Sequence, residues 1–512
     1  MRHHFKRRKY DFPKIAAVII AAVLVSLRVY VLYYPFHVFR YLVPPGDDAV
    51  NHLTMIKNVM VGDWKSDYPP LFHALIAFLS NLTLKDPLVI LKSVTPLLVI
   101  FPSIAVYFFS RKNFGEMTAV FGSLICLWSS NYALVAFGDG NYPNILAAGF
   151  FMPLAFLFLV NVTNQKKWTN YLWGIVFAVL IILTHHLSAL LFALISLFYI
   201  AAVALWNKRE KISANIRPLI IFVSVTLGCG IIIIFSTPLR TIFMGAFRSL
   251  AQQGSFMANS PFAKPLGYSE YAAAVGNLVW YGGLVSLFYL IYLLGKPEER
   301  VNKPAILLIL SWFIVTFIFS RSTQMGLPAR FARETALPLI LSLSVSISSI
   351  IGELKFNWQK ISGYVLFVFL IAVNLTQVNN GAFRSPDYFN RMIWFSSQEK
   401  EISDFIKENI PSEDTVLANQ ISPYLPIFAQ RKIIFLDPKN VTGKLGFRQY
   451  MAAQGIKYVL IGKMTKAQPE GSVYPFFKDF AETTGILQQN VPNFIKIGEF
   501  SNGSVIYQLS IN

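Results

Sequence analysis

The sequence is poor in charge, above all in acidic residues, and in cysteine. Only 14% of its 512 residues are charged, whereas soluble globular chains carry roughly a quarter. Asp and Glu number 26 against 45 Lys and Arg, so the deficit is mainly acidic. This composition excludes an ordinary soluble protein. Cys126 and Cys229 both lie in apolar runs, which argues against a disulfide framework or a cysteine metal site.

Several sequence motifs are missing as well. There is no internal repeat of fixed period and no low-complexity segment. The region after residue 381 has no GxGxxG, no nucleophile elbow and no cluster of metal ligands. We therefore expect that region to support the protein or bind an acceptor rather than to catalyse, and we expect no nucleotide cofactor.

Long apolar segments are what the sequence does contain. It is 54% hydrophobic, with a mean hydropathy of +0.50. Runs near 20 residues, enough to cross a ~30 Å hydrocarbon core as helices, recur until about residue 380. The runs predict about eleven transmembrane helices, at residues 15–34, 88–109, 115–134, 144–162, 169–186, 187–206, 217–236, 272–294, 305–320, 336–351 and 361–378.

The basic residues indicate how these helices are oriented. The net charge is +19, but Lys and Arg concentrate in the N-terminus and in short loops at 111–112, 166–167, 208–211, 296–303 and 355–360. Such loops remain cytoplasmic, so topology explains the charge and no nucleic-acid partner is expected. The N-terminus should be a retained, cytoplasmic start, and everything after residue 379 should lie outside the cell membrane.

This orientation fixes two further interpretations. The apolar run 70–84 must not cross the membrane, and residues 168–206 must cross twice, which brings Thr184-His185-His186 to the outer face. The outer side then receives a long first loop (35–87), residues 137–144, residues 321–335 and the C-terminal region. We accordingly predict a transmembrane catalytic domain over residues 1–380 and an extracytoplasmic domain over residues 381–512.

The C-terminal region changes character to that of a small soluble α/β domain. Amphipathic helix patterns at 401–408 and 444–453 alternate with short apolar strand patterns. The predicted strands are 415–418, 432–436, 457–461, 494–500 and 505–509, and the last two flank the hairpin turn Ser501-Asn502-Gly503-Ser504. Alternating strands and helices are typical of an α/β sandwich.

The first outer loop carries the strongest chemical signal, Pro44-Pro45-Gly46-Asp47-Asp48-Ala49-Val50-Asn51-His52. A helix is predicted from residue 48 to 61, with Val50, Leu53, Ile56 and Met60 on one side. Asp48 and His52 are four residues apart and share a helical face. The two acids could simply cap this helix, but the segment Tyr68-Pro69-Pro70-Leu71-Phe72-His73 brings the chain back beside them.

Two more outer segments hold candidate ligands for a metal ion. Gly138-Asp139-Gly140-Asn141-Tyr142 places a carboxylate in a tight loop, where Asp is often only a turn residue. Thr184-His185-His186 places two imidazoles at the end of an apolar helix, where a histidine is usually a packing residue. Together with Asp47 and Asp48 these side chains suggest a site for a divalent ion, Mg²⁺ or Mn²⁺, with Asp48, Asp139 and His186 as candidate ligands.

Arginines on the outer side depart from the charge rule. Arg321, Arg330 and Arg333 lie close together in sequence in an outer loop. They could bind lipid headgroups at the membrane interface. An anion site is the alternative, because Arg grips phosphate oxygens with paired donors.

The acidic first loop, the YPPLFH return, GDGNYP, THH and RFARE together resemble the GT-C superfamily of membrane glycosyltransferases. The resemblance covers about residues 10 to 380, and the α/β tail is similar to the external domain of many members. It implies a GT-C-like membrane fold, a catalytic aspartate at Asp48 with Asp47 next to it, and a donor-phosphate region around Arg330 and Arg333. The WWDYG acceptor motif of oligosaccharyltransferases is absent, as is the Asp-Glu first-loop pair of protein O-mannosyltransferases.

The resemblance implies transfer of a sugar from a polyprenyl- or dolichyl-phosphate carrier at the outer membrane face. Asp48 would act as the base towards a hydroxyl of a glycan, lipid or protein acceptor, and the arginines or a bound cation would stabilise the departing phosphate. Membrane lipids would surround the protein. A flippase or transporter for lipid-linked glycans, or a non-catalytic glycolipid-binding relative, stays open as an alternative. Concentration of polar groups at one face, rather than at the bilayer midplane, favours the enzyme.

Overall fold

The chain forms two compact units, and they do not simply follow each other in sequence. A computed structural model describes residues 12–38, 42–46, 48–63, 68–164, 167–210, 216–236, 240, 265–296, 302–322, 328–384, 395, 397–419, 422, 424–441, 443–463, 480–491 and 494–509. The first unit comprises Met1–Pro35 and His52–Pro386, and the second comprises Phe36–Asn51 and Asp387–Asn512. A segment of the first predicted loop therefore belongs to the same unit as the C-terminal region.

Helices account for the first unit. In chain order the helices before residue 386 are Phe12–Val38, Asp48–Met60, Leu71–Thr83, Pro87–Leu98, Phe101–Phe114, Glu116–Trp128, Tyr132–Gly138, Tyr142–Asn144, Met152–Asn164, Trp168–Thr184, His186–Glu210, Ile216–Ser236, Tyr268–Val275, Gly283–Gly295, Lys303–Arg321, Pro328–Glu334, Ala336–Glu353 and Asn357–Arg384. Two π-helical turns, Ile145–Phe151 and Leu278–Gly282, lead into longer helices.

The first unit has the composition of a membrane domain. Seven helical stretches in its described part are long and apolar enough to cross a membrane: Pro87–Phe114, Glu116–Gly138, Tyr142–Thr163, His186–Asn207, Leu278–Gly295, Lys303–Arg321 and Pro328–Glu353. Four shorter apolar helices accompany them: Ala22–Tyr34, Leu71–Thr83, Trp168–Thr184 and Arg217–Ile232. Every predicted span overlaps a helix, while the total of eleven crossings stays a prediction.

One glycine is required by close packing between two helix ends. Gly276 has a φ of +105°, a region that favours glycine. A Cβ atom added there would lie 2.2 Å from the carbonyl oxygen of Ser129. Nearby, the backbone N–H of Asn131 donates to the Val275 carbonyl at 3.1 Å. Only a glycine allows these two chain segments to approach so closely.

The C-terminal part of the second unit is an α/β sandwich, as predicted. Its strands are β1 (Thr415–Ala418), β2 (Lys432–Phe435), β3 (Ile456–Ile461), β4 (Ile495–Glu499) and β5 (Val505–Gln508). They form a five-stranded sheet in the order β2-β1-β3-β5-β4. Strands β2, β1 and β3 are parallel, with Thr415 opposite Lys432, whereas β3, β5 and β4 are antiparallel, with Tyr458 opposite Gln508.

Side chains alternate along each strand, so the sheet presents apolar residues on both faces. Helices cover each of these faces. Val416 and Tyr458 face a core shared with the Ser397–Asn409 and Leu425–Ala429 helices. Leu417 and Val459 face the opposite core, shared with Gly443–Ala453 and Phe480–Asn490. The predicted boundary near residue 380 stays a prediction.

The helix that follows the acidic loop has a different buried face from the predicted one. Leu53 and Ile56 are fully buried, as expected, but Met60 is 37% exposed and Ala49 is buried in its place. His52 joins the same buried face. The pattern of large apolar residues alone could not indicate that an alanine and a histidine would be buried.

Candidate active site

The acidic loop ends at the start of a helix. Asp47 lies outside the described residues, and Asp48 is the first residue of the Asp48–Met60 helix, where a carboxylate is favoured by the helix dipole. Asp48 is half-buried and belongs to the second unit, whereas His52, one turn later, belongs to the first. The predicted helical start at the candidate base is therefore present.

His52 is part of a buried pair of histidines. Its Nδ1 lies 3.0 Å from Nε2 of His73, a hydrogen bond in which one ring donates and the other accepts. The rings of Tyr68, Phe72 and Tyr142 lie within 5.8 Å of the His52 ring. Burial lowers the pKa of His52 to about 4. His52 is therefore neutral near pH 7.

Tyr68 links this pair to the Thr184-His185-His186 segment. Its ring centre is 5.7 Å from that of His73, 5.8 Å from His185 and 5.6 Å from His186. The helix break falls at His185, whose backbone is extended after Thr184, and its Nδ1 accepts from the Ser188 backbone N–H at 3.2 Å. The predicted hinge is thus present, and four histidines surround one tyrosine in the first unit.

The tight loop at Asp139 is joined to the arginine segment by an ion pair. Asp139 follows the Tyr132–Gly138 helix, and Gly140, with a φ of +75°, turns the chain into Tyr142. Nη1 of Arg333 donates to Oδ2 of Asp139 at 3.1 Å. The Arg333 side chain is only 5% exposed, yet within the described part of the chain its Nε and Nη2 have no hydrogen-bond partner. A buried guanidinium thus keeps two N–H groups available.

The other two arginines have different surroundings. Arg330 is half-buried on the same Pro328–Glu334 helix. The guanidinium of Arg330 interacts electrostatically with the imidazoles of both His185 and His186. Arg330 therefore lies close to the histidine segment. Arg321 instead donates to the Leu266 carbonyl and sits over the ring of Tyr268.

A buried carboxylate that the sequence analysis did not single out follows Arg333 directly. Glu334 is 4% exposed, and its Oε1 accepts from Nδ2 of Asn144 at 3.1 Å. The Tyr132 hydroxyl donates to Oδ1 of the same asparagine at 3.4 Å. These contacts attach the arginine-bearing helix to the segments on either side of Asp139.

The residues predicted as metal ligands do not form a metal-binding group in the described part of the chain. In that part of the chain no three side chains of His, Cys, Asp or Glu are grouped so that they could hold a metal ion. Asp139 pairs with Arg333 instead. A metal role for Asp48, Asp139 and His186 stays a prediction, and we derive no reaction step through an ion.

Asn144 and Glu334 were missed by sequence reasoning as members of the site. Tyr68 and His73 were placed beside the acids by the segment that contains them, but neither was assigned a role. Asn144 and Glu334 are 190 residues apart in the chain, so no local pattern could have paired them.

The fold is similar to that of several solved membrane glycosyltransferases. The oligosaccharyltransferase AglB from Archaeoglobus fulgidus, solved with an inhibitory peptide and a dolichol-phosphate, is 13% identical, with a TM-score of 0.63 over 98% of this chain and 75% of AglB. ArnT from Cupriavidus metallidurans, bound to undecaprenyl phosphate, is 12% identical, with a TM-score of 0.57 over 96% of this chain and 98% of ArnT.

A third similar structure matches this chain over a smaller share of its own length. The arabinofuranosyltransferase AftD from Mycobacteria is 14% identical, with a TM-score of 0.56 over 96% of this chain and 40% of AftD. All three proteins belong to the GT-C superfamily, so the fold confirms the resemblance drawn from the sequence motifs.

The chain thus has a GT-C-like membrane fold. Within that class, the chain belongs to the family of membrane proteins described as the 6-pyruvoyl-tetrahydropterin synthase related domain, which matches residues 67–380. No curated protein sequence matches this chain.

Proposed function

We propose that this chain is a membrane glycosyltransferase that moves a sugar from a polyprenyl-phosphate-linked donor to an acceptor at the outer face of the membrane. The observation that carries the proposal is the guanidinium of Arg333, buried and bonded to Asp139 through one N–H, with Nε and Nη2 unpartnered in the described part of the chain. Burying a cation with free donors is costly, and a phosphate oxyanion supplies the acceptors that these groups lack.

The carrier of the sugar is proposed from chemistry and from the similar proteins. AglB and ArnT were solved with dolichol-phosphate and undecaprenyl phosphate, both lipid phosphates. Arg330, next to the histidine segment, and Arg333 would stabilise the negative charge on such a phosphate as it departs. Arg321 would contribute at the edge of this region, because its guanidinium already contacts Leu266 and Tyr268.

Asp48 is the proposed base. It would take the proton of an acceptor hydroxyl as that oxygen attacks the anomeric carbon, and the bond from that carbon to the lipid phosphate would break. His52, one turn later on the same helix and neutral near pH 7, would bind or orient rather than carry charge. Asp47 is the alternative base.

We propose that the site faces the outside of the membrane. This orientation follows from the basic loops and can be tested by labelling introduced cysteines in intact cells, after Cys229 is replaced by serine. A cysteine at Ser412 should react with an impermeant thiol reagent, and a cysteine at Lys208 should not. Labelling at position 208 alone would reverse the topology.

The function is tested by profiling glycolipids and glycoproteins in the source organism. A strain that lacks the gene and a strain carrying Asp48→Asn should both lose the same glycan, while Asp86→Asn, a helix cap elsewhere in the first unit, should lose none. Loss of the glycan in the deletion strain but not in Asp48→Asn would favour Asp47 as the base or a glycolipid-binding protein. Accumulated donor on the inner leaflet would favour a flippase.

A further inference from the structure

The acidic loop is built into the second unit rather than into the membrane unit. Residues Phe36–Asn51 group with Asp387–Asn512. Val43, Pro44, Pro45 and Gly46 are all buried, and Gly46 has a φ of +94°, so the chain turns sharply just before the acids. The loop that carries Asp48 is therefore held by the unit that also forms the C-terminal sheet.

The Pro-Pro pair limits the backbone hydrogen bonds that the loop can make. Pro44 and Pro45 have no backbone N–H, so neither donates one. A buried carbonyl still requires a donor. The carbonyl of Pro44 faces the hydroxyl of Tyr424, with 3.5 Å between the two oxygens.

Tyr424 is itself rigidly held. It is fully buried, and its backbone N–H donates to the Ser422 hydroxyl at 3.3 Å. Its ring centre lies 6.0 Å from that of Phe395 and 6.4 Å from that of Phe428, and these two phenylalanines stack at 4.1 Å. A phenolic hydroxyl in such surroundings has a fixed direction.

We infer that Tyr424 is a positioning residue for the candidate base: through the Pro44 carbonyl and the Gly46 turn it holds Asp48 at the start of its helix. The inference rests on the proposed function, because positioning matters only if Asp48 acts on an acceptor. It gives the C-terminal domain a direct part in the reaction, beyond support or acceptor binding.

Tyr424→Phe tests this in the full-length purified protein, since it removes the hydroxyl and keeps the ring. With a polyprenyl-phosphate sugar as donor, kcat should fall roughly 10- to 100-fold, because small displacements of a catalytic group cost that much. KM for the donor should not change, since the arginines that bind phosphate are untouched. Tyr458→Phe, a buried tyrosine of β3, is the matched control and should leave kcat unchanged.

Two readouts separate positioning from general stability. Amide hydrogen exchange over residues 46–53 should quicken in Tyr424→Phe, while exchange over 456–461 in β3 stays as in wild type. The double variant Asp48→Asn with Tyr424→Phe should have the same residual activity as Asp48→Asn alone, because both changes affect one group.

Unchanged kcat in Tyr424→Phe, unchanged exchange over 46–53, or faster exchange throughout the sheet would each overturn the inference. Additive losses in the double variant would do the same. If the wild-type protein transfers no sugar, the proposed function fails, and the exchange measurement alone then decides whether Tyr424 holds the loop.

Discussion

The two units differ in how they satisfy their buried polar groups. In the second unit, within the residues described, every buried side-chain nitrogen or oxygen has a hydrogen-bond partner. In the first unit several do not, and they include Nε and Nη2 of Arg333 and Nδ1 of His186. Native proteins pair nearly all such groups, and the two Arg333 donors without a partner lie beside the ion pair with Asp139 on which the proposed function rests.

Asn419 illustrates the satisfied unit. Its Nδ2 donates to the Gly462 carbonyl and to the Thr484 hydroxyl, both at 2.8 Å, and its Oδ1 accepts from the Gly462 N–H at 2.8 Å. One side chain thereby fastens the ends of β1 and β3. The comparison teaches that the sheet satisfies its buried polar groups, whereas the helical unit keeps unused hydrogen-bonding capacity at Arg333 and His186.

The largest expected effect is on Asp48. Asp48→Asn should lower turnover roughly 10²- to 10⁴-fold, the usual contribution of a general base, and the purified variant should keep its wild-type folding and membrane insertion. Turnover of a lipid-phosphate sugar by purified protein is the measurement. Full activity would remove Asp48 from the mechanism.

A companion measurement decides what Asp139 does. If Asp139 serves mainly to hold Arg333, Asp139→Asn should weaken donor use, and a chelator should leave wild-type turnover unchanged. If Asp139 and Asp48 share a divalent ion, both Asn variants should be inactive and the chelator should abolish turnover. Either result refines the comparison of the two units, because it shows what lies opposite the Arg333 N–H groups that have no partner.

Removal of an arginine should cost less. Arg330→Ala or Arg333→Ala should weaken donor use by about 2 kcal/mol, the scale of a charged hydrogen bond. Lys at either position should rescue only part of this, because it lacks the paired donors of the guanidinium. Arg111→Ala, which removes an exposed ion pair with Glu116, is the control. A donor KM equal to that of wild type in both Arg330→Ala and Arg333→Ala would favour the lipid-headgroup interpretation.

A change at Asn419 in the sheet should affect stability and spare chemistry. Asn419→Ala removes three hydrogen bonds and leaves Gly462 groups buried without partners, so it should destabilise the domain by roughly 2–4 kcal/mol. Thermal unfolding, monitored by hydrogen exchange over β3, measures this loss of stability. The exposed Ser412→Ala is the control. A large loss of kcat well below the unfolding temperature would contradict a purely structural role for Asn419.

A last expected effect is a pH dependence of stability. The pKa of His52 is about 4 in the folded protein and about 6.5 when unfolded. Between these values the unfolded state binds the extra proton, so stability should fall as pH drops from 6.5 to 4. His52→Gln should flatten that part of the curve. Identical pH profiles for wild type and variant would show that His52 is accessible to water.

Local patterns predicted much of this architecture. The strand pattern at 415–418 coincides with β1, and the turn Ser501-Asn502-Gly503-Ser504 joins β4 and β5 as expected. The breaks at Asp139 and His185 also follow from short-range chemistry, namely glycines that permit a turn and polar residues that interrupt an apolar run.

Contacts between distant segments were beyond the reach of sequence reasoning. Arg333 and Asp139 are 194 residues apart, and Tyr424 and Pro44 are 380 apart. No periodicity connects such pairs, because they arise only when helices and loops pack. The acidic loop was singled out by its residues, yet the unit that holds it could be found only in three dimensions.

Gly276 has an evolutionary consequence. A single methyl group there would collide with the backbone of Ser129, and backbone atoms cannot rotate away as a side chain can. Natural variation at this position should therefore be almost nil wherever the same helix ends meet. A relative that carries any other residue there must have re-routed one of the two chain segments, so this one position offers a simple diagnostic for which distant sequences keep the local architecture.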